Sequence, residues 1–230
     1  MKKTSFTIPI AIILGGVIVA VAVYITERHV APSVSTGNPA LVRPVTTSDH
    51  ILGDPAAPVK IIEYADFDCD YCKTFDQTLE QIVSDQGLPA AKQDANGQVA
   101  VVFREFPLTE IHPDAMKLAE AAECAAVAGG NDAFWKFADE LYAHQPADPS
   151  DFGTLAAQAG VPGDAFASCY QNASSTVAAR IEADRQNALD TGAHGTPYSL
   201  ILAPNQPPIV MSGAYSYDAV KALISQALGH

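Results

Sequence analysis

Positive charge is scarce in this chain. Its 230 residues carry 13 Lys and Arg against 26 Asp and Glu, a formal net charge of −13. No basic stripe runs along it, so the electrostatic footprint of a nucleic-acid binder is missing. The same imbalance promotes solubility and gives no support for docking on anionic lipid. Cysteine is sparse too, with four residues, and only Cys69 and Cys72 are closely spaced. A structural zinc site needs four ligands, commonly from two close pairs. Cys124 and Cys169 make no second such pair and the histidines show no spaced pair, so no metal is expected. No internal repeat is present, which argues against a solenoid.

What the chain does have begins with Phe6 to Ile25, an almost unbroken apolar run of about twenty residues, enough to span a bilayer as a helix. Lys2 and Lys3 precede it, which predicts residues 1–5 in the cytoplasm, a single-pass anchor over 6–25 and the bulk of the chain outside. The alternative is a cleaved signal peptide, for which Ala20-Val21-Ala22 offers a small-x-small site. Either way the domain is exported, and an even number of cysteines there is compatible with two disulfides. Residues 26–52, rich in Pro, Ser, Thr, Val and Gly, keep neither helical nor strand period. They are expected to form a semi-extended tether stiffened by Pro32, Pro39 and Pro44. The remaining stretch, 53–230, fits one domain.

Cys69-Asp70-Tyr71-Cys72 follows a run that reads as a strand, Val59 to Tyr64, and leads into one that reads as a helix, about 71–86. A CxxC where strand turns into helix is the redox centre of thioredoxin-like folds. Two intervening residues put both sulfurs within one helical turn. The helix start offers unpaired N–H groups and a partial positive charge, which favour a thiolate on Cys69. A second strand is expected at Gln98–Phe106. Strands then stop, and five helices follow: one opened by His112-Pro113 and ended by Gly129-Gly130, then Asp132–Ala143, Ser150–Ala159, Pro162–Tyr170 and Ser174–Asp190. Strands return at Tyr198–Leu202 and Ile209–Met211, and a helix covers about 216–228. The order is β–α–β, an all-helical block over about 112–192, then β–β–α. That is an α/β layer structure with an inserted helical subdomain.

The segment GDPAAPVKIIEYADFDCDYC (53–72), then REFPL (104–108) with His112 downstream, then GAHGTPYSLIL (192–202), resembles the DsbA-type thiol–disulfide oxidoreductases, in particular their membrane-anchored bacterial members. The likeness runs from about Ser48 to the C-terminus. It implies a thioredoxin-like fold and disulfide exchange with exported cysteine-containing proteins. No cofactor is implied beyond the Cys69–Cys72 disulfide. A membrane redox partner, not identified by the sequence, would reoxidise it.

On this reading Cys69 is the nucleophile and Cys72 the resolving thiol; the competing assignment is a purely structural bridge. Thr196-Pro197 matches the family's cis-proline loop, whose backbone pairs with substrate as a short added strand. An acid occurs in the family where Glu63 stands. On the face of Val59 and Ile61 a buried Glu63 would keep its proton and could exchange it with Cys72; the alternative is a carboxylate reaching solvent from the strand end. Tyr71 should be exposed and touch substrate. The family places a cysteine pair at Cys124 and Cys169, implying a structural disulfide; two separate buried thiols are the alternative.

Asp66, Asp68 and Asp70 cut the other way. A carboxylate about 6 Å from the sulfur opposes the thiolate by roughly 0.7 kcal/mol in water. The helix end favours it by about 0.3–1 kcal/mol. The expectation is therefore a Cys69 pKa nearer a free thiol than in the strongest oxidants, with a value below about 5 as its refutation. Asp68 is also expected to cap the helix. His112 and His194 read as turn or cap residues, and Phe134, Trp135 and Phe137 as core. Two other functions stay open: the same chemistry run as a reductase or isomerase, and a non-catalytic, chaperone-like binding module.

Overall fold

The structure, a computed structural model, describes residues 37–85, 97–172 and 175–229. The expected anchor Phe6–Ile25, its alternative cleavage site and residues 26–36 of the tether lie outside them. Among the described residues no helix is long and apolar enough to cross a membrane.

Five strands form one sheet: β1 (His50–Gly53), β2 (Val59–Ala65), β3 (Val99–Glu105), β4 (Tyr198–Leu202) and β5 (Ile209–Ser212). Their spatial order is β1-β3-β2-β4-β5. β2 and β3 run parallel, joined through α1 (Asp70–Ser84), with Ile61 opposite Val101. The other three pairings are antiparallel. Helices cover both faces, so β2 and β3 read as continuous apolar runs rather than alternating ones. The period of two still sorts their side chains. Val59, Ile61, Val101 and Phe103 pack with Phe75, Leu79 and Ile82 of α1. Ile62, Tyr64 and Val102 pack with Ala188 at the end of α6 (Ser175–Thr191).

Between β3 and β4 lies the helical insertion: α2 (Ala115–Gly129), α3 (Asn131–Ala143), α4 (Phe152–Gln158), α5 (Gly163–Gln171) and α6. Phe134 and Phe137 are fully buried and Trp135 nearly so, and they form an aromatic core with Phe103, Phe152 and Phe166. Cys124 of α2 and Cys169 of α5 are joined by a disulfide across 45 residues. The C-terminal α7 (Tyr217–Ala227) starts at Ser216, whose Oγ accepts from the Ala219 N–H, and packs on α1.

The tether assigned to 26–52 needs correction from residue 37 onward. Residues 50–53 are an edge strand, with His50 opposite Phe103 and Gly53 opposite Ala100. The segment before it is held by side chains from far along the chain. The Asn38 N–H donates to the Asp190 carbonyl at 2.8 Å, and Asn187 Nδ2 donates to the Leu41 carbonyl at 2.8 Å. Arg104, 1% exposed, donates to Asp49 Oδ1, to the Arg43 and Pro44 carbonyls, and to the Tyr64 hydroxyl. Arg43 pairs with Asp184. These polar ties leave no apolar period to read. A second difference is the start of α2 at Ala115 rather than at His112-Pro113. Residues 108–112 form turns instead, with the Ile111 and His112 N–H groups both bonded to the Leu108 carbonyl.

Candidate active site

Strand β2 ends at Ala65, and four residues later the chain enters α1 at Cys69. Cys69 itself is the N-cap, with extended backbone (φ −88°, ψ 117°), and its carbonyl accepts from the Cys72 and Lys73 N–H groups. Asp68 therefore stands outside the helix, and no side chain caps it. The expected capping role does not hold, because the N-cap position falls at Cys69, one residue further on.

Cys69 and Cys72 are free thiols, 6% and 0% exposed. Cys69 S–H donates to the Thr196 carbonyl at 3.5 Å. Thr196 precedes Pro197 through a cis peptide bond, and its carbonyl in the loop entering β4 meets the first cysteine. The Asp66 N–H points at Cys72 Sγ at 3.5 Å. The Cys72 thiol, hydrogen-bonded to Cys69, pulls the Cys69 pKa down to about 6, helped by Thr196 and the Cys72 and Tyr71 N–H groups; burial opposes this. Burial drives the Cys72 pKa well up. The pair is thus split into one thiol ready to ionise and one held neutral.

The Cys69 pKa expected from sequence is nearer a free thiol than in the strongest oxidants, with refutation below about 5; at about 6 it lies below a free thiol and above that limit. Asp66 explains part of this. Its carboxylate is wholly buried and spent on three bonds, from the Asp68 N–H, the Leu108 N–H at 2.8 Å and His112 Nδ1 at 2.8 Å.

Glu63 sits on β2 facing the cysteines. It is 0% exposed, and neither carboxyl oxygen has a hydrogen-bond partner. Burial, then the nearby Asp76 and Cys69 charges, raise its pKa far above the ordinary range. The solvent-reaching alternative is thereby removed. Tyr142 of α3 has a buried, unpartnered hydroxyl in the same region, its pKa raised by burial and then by Cys72, Asp76 and Glu63. Gln145 Nε2 donates to the Phe67 carbonyl at 3.1 Å, so the insertion holds the loop that carries the pair. Tyr71 is 70% exposed, and Ile111, from the β3–α2 loop, is another exposed apolar side chain.

The structure thus brings together Cys69, Cys72, Glu63, Thr196 and Pro197. Cys124 and Cys169 lie away in the insertion. His194 is exposed. One group among the described residues could hold a cation, Asp76, Glu80 and Asp139, whose carboxyl oxygens lie within 4.8 Å of one another. Burial and mutual repulsion raise the pKa of Asp76 and Glu80, so these carboxyls hold protons more readily than free ones. Sequence reasoning read His112 as a turn or cap residue and did not foresee its bond to Asp66. Its partner Asp66 is 46 residues away, and no local pattern joins them.

Residues 45–224 match the family model described as thioredoxin. The chain belongs to the thioredoxin family. Among curated relatives, it is 33% identical over 180 residues to the Na(+)/H(+) antiporter NhaA 3 of Salinispora tropica, covering 78% of this chain and 24% of that protein. It spans about a quarter of the length of the antiporters it matches. It is also 32% identical over 146 residues to the probable disulfide bond formation protein D of Bacillus cereus, covering 60% of this chain and 61% of that one. Solved thioredoxin-like structures share the fold. BdbD from Bacillus subtilis superimposes with a TM-score of 0.66 at 21% identity, covering 85% of this chain and 98% of that one. DsbA2 from Pseudomonas aeruginosa gives 0.62 at 23% identity, covering 80% and 96%.

Proposed function

We propose that this protein is an extracytoplasmic thiol–disulfide oxidoreductase, tethered to the cell membrane by Phe6–Ile25 with its N-terminus in the cytoplasm. It forms disulfides in exported cysteine-containing proteins. The observation that carries the reading is the division of labour in the CxxC pair. Cys69 lies at a helix start against the Thr196 carbonyl with a pKa of about 6, while Cys72 is buried and neutral above a protonated Glu63. The likeness to a disulfide bond formation protein supports the same chemistry.

In the oxidising direction a substrate thiolate attacks Cys69 Sγ. The Cys69–Cys72 bond breaks, and Cys72 leaves and takes a proton, which Glu63 would give. A second substrate thiolate then attacks the substrate sulfur of the mixed disulfide. Cys69 departs as a thiolate, stabilised by its low pKa, and two electrons have passed to the pair. The Thr196 backbone, with exposed Tyr71, would hold the substrate segment as an added strand. No cofactor is needed beyond the Cys69–Cys72 disulfide. A membrane redox partner must reoxidise the pair. The alternative directions, reduction or isomerisation, use the same residues in reverse.

The full chain, oxidised, should convert a reduced two-cysteine peptide to its disulfide, and Cys69→Ser should abolish this. Binding of the peptide with no exchange by wild type would replace the enzyme with a binding module whose CxxC is only structural. Exchange only from an externally reduced pair toward peptide disulfides would make it a reductase.

A further inference from the structure

Asp66 is wholly buried and touches three functional groups at once. Its carbonyl accepts from the Cys69 N–H at 3.1 Å, its N–H points at Cys72 Sγ at 3.5 Å, and its carboxylate accepts from His112 Nδ1 at 2.8 Å. The hydrogen bond to Asp66 fixes which ring nitrogen of His112 carries the inner proton. The side chain is 21% exposed, so the imidazole takes up its second proton from solvent without moving. The β3–α2 loop is folded to bring this about. The Leu108 N–H and His112 Nδ1 share Asp66 Oδ2, and the His112 N–H returns to the Leu108 carbonyl.

Resting on the disulfide-exchange reading above, the geometry points to His112 as a positioning residue for the reaction: held by Asp66, its imidazolium is the cation that stabilises Cys69 as a leaving thiolate. In the last step of substrate oxidation the bond between Cys69 and the substrate sulfur breaks. The electron pair stays on Cys69, whose N–H is bonded to the same Asp66 that holds His112, and the imidazolium offsets that new charge without giving up its proton. Asp66 is the anion that keeps the imidazole charged.

The groups that bear on this are Asp66, Asp68 and Cys69 from the β2–α1 segment, Glu110 in the loop of His112, and Asp114 before α2. Asp114 is shared with Lys117 Nζ at 2.7 Å. The Asp66, Asp68 and Cys69 charges raise the His112 pKa although burial opposes them. Burial and the neighbouring carboxylates raise the pKa of Asp68, and His112 opposes them in part. As pH rises through the raised His112 pKa the imidazolium is lost, and with it the help to Cys69.

The test is the pH profile of Cys69 alkylation by iodoacetamide in the reduced full chain, read without any substrate. One unit charge in the neighbourhood of a thiol, in a medium between water and protein, changes its acid constant roughly three- to tenfold. His112→Gln keeps a hydrogen bond for Asp66 but no charge. It should lower the Cys69 acid constant by that factor, while His112→Lys should restore at least half of it. Asp66→Asn removes both the partner of His112 and a carboxylate that itself opposes the thiolate, so on the His112→Gln background it should raise the Cys69 acid constant. A folded His112→Gln protein with an unchanged Cys69 midpoint overturns the proposal. So does a His112→Lys protein that behaves as His112→Gln. Because no exchange is measured, failure here leaves the oxidoreductase reading standing. Absence of peptide oxidation by wild type would sink that reading instead.

Discussion

The hydrogen bond from the Cys72 thiol is the largest influence holding the Cys69 pKa down. Removing it by Cys72→Ala therefore measures what the second cysteine contributes to the first. A hydrogen bond to a charged group stabilises by about 1.5–3 kcal/mol. At 1.36 kcal/mol per pKa unit, its loss should raise the Cys69 pKa by about 1–2 units, from about 6 to between about 7 and 8. The ionised fraction near pH 7 should fall from roughly nine-tenths to between about a half and a tenth. The assay is the ultraviolet absorbance of the thiolate against pH, in a variant where Cys69 is the remaining free thiol among the described residues. A midpoint that stays at about 6 would refute the reasoning, and would pass the effect to the Tyr71 and Cys72 N–H groups and the helix start. The same arithmetic bounds the oxidising power. Lowering a thiol from 9.0 to about 6 favours the reduced protein by about 1.4 kcal/mol at pH 7, or about 30 mV for a two-electron couple. The raised Cys72 pKa adds nothing there, since that thiol is protonated either way.

Glu63→Gln should stabilise the protein while slowing exchange. The folded Glu63 keeps its proton above the pH at which the unfolded chain loses it. Each pH unit between those two points costs the native state up to about 1.4 kcal/mol. Urea unfolding should show wild type and variant alike near pH 4 and the variant more stable at pH 7; equal stability at both would count against a buried protonated acid. Replacing both Cys124 and Cys169 by Ala opens a loop with a sequence separation of 45 and should cost about 4 kcal/mol by loop-closure entropy. A change under about 1 kcal/mol in the same unfolding assay would mean the unfolded chain gains little freedom. Arg104→Met leaves Asp49 buried without its cation and should cost about 3–5 kcal/mol. Amide exchange should then speed up across 38–49 before the sheet opens, and uniform exchange would show that other contacts hold this segment.

How much of this was legible in the sequence depended on the range of the interactions involved. The strands β2, β3 and β4 and the CxxC helix declare themselves because their apolar residues repeat along the chain and their ends carry turn residues. Glu63 could be noticed for the same reason, as a charge on the buried face of an apolar strand. Residues 38–49 gave no such sign. They are held by Arg104, Asn187 and Asp184, polar groups whose partners lie 55 to 146 residues away in sequence. A Pro-rich stretch held by borrowed hydrogen bonds has the composition of a tether, so the domain boundary was placed too late. Cys69 shows the same limit. Three aspartates within five residues suggest a repelled thiolate when distances are taken from sequence alone. Folding turns the Asp66 carboxylate onto His112 and two backbone N–H groups, and leaves Asp70 exposed at the first turn of α1. The net field on the sulfur then follows from where each carboxylate points, and a single hydrogen bond from Cys72 outweighs the count of charges. Local pattern can thus locate a reactive cysteine, while its pKa is set by contacts that only the assembled fold supplies.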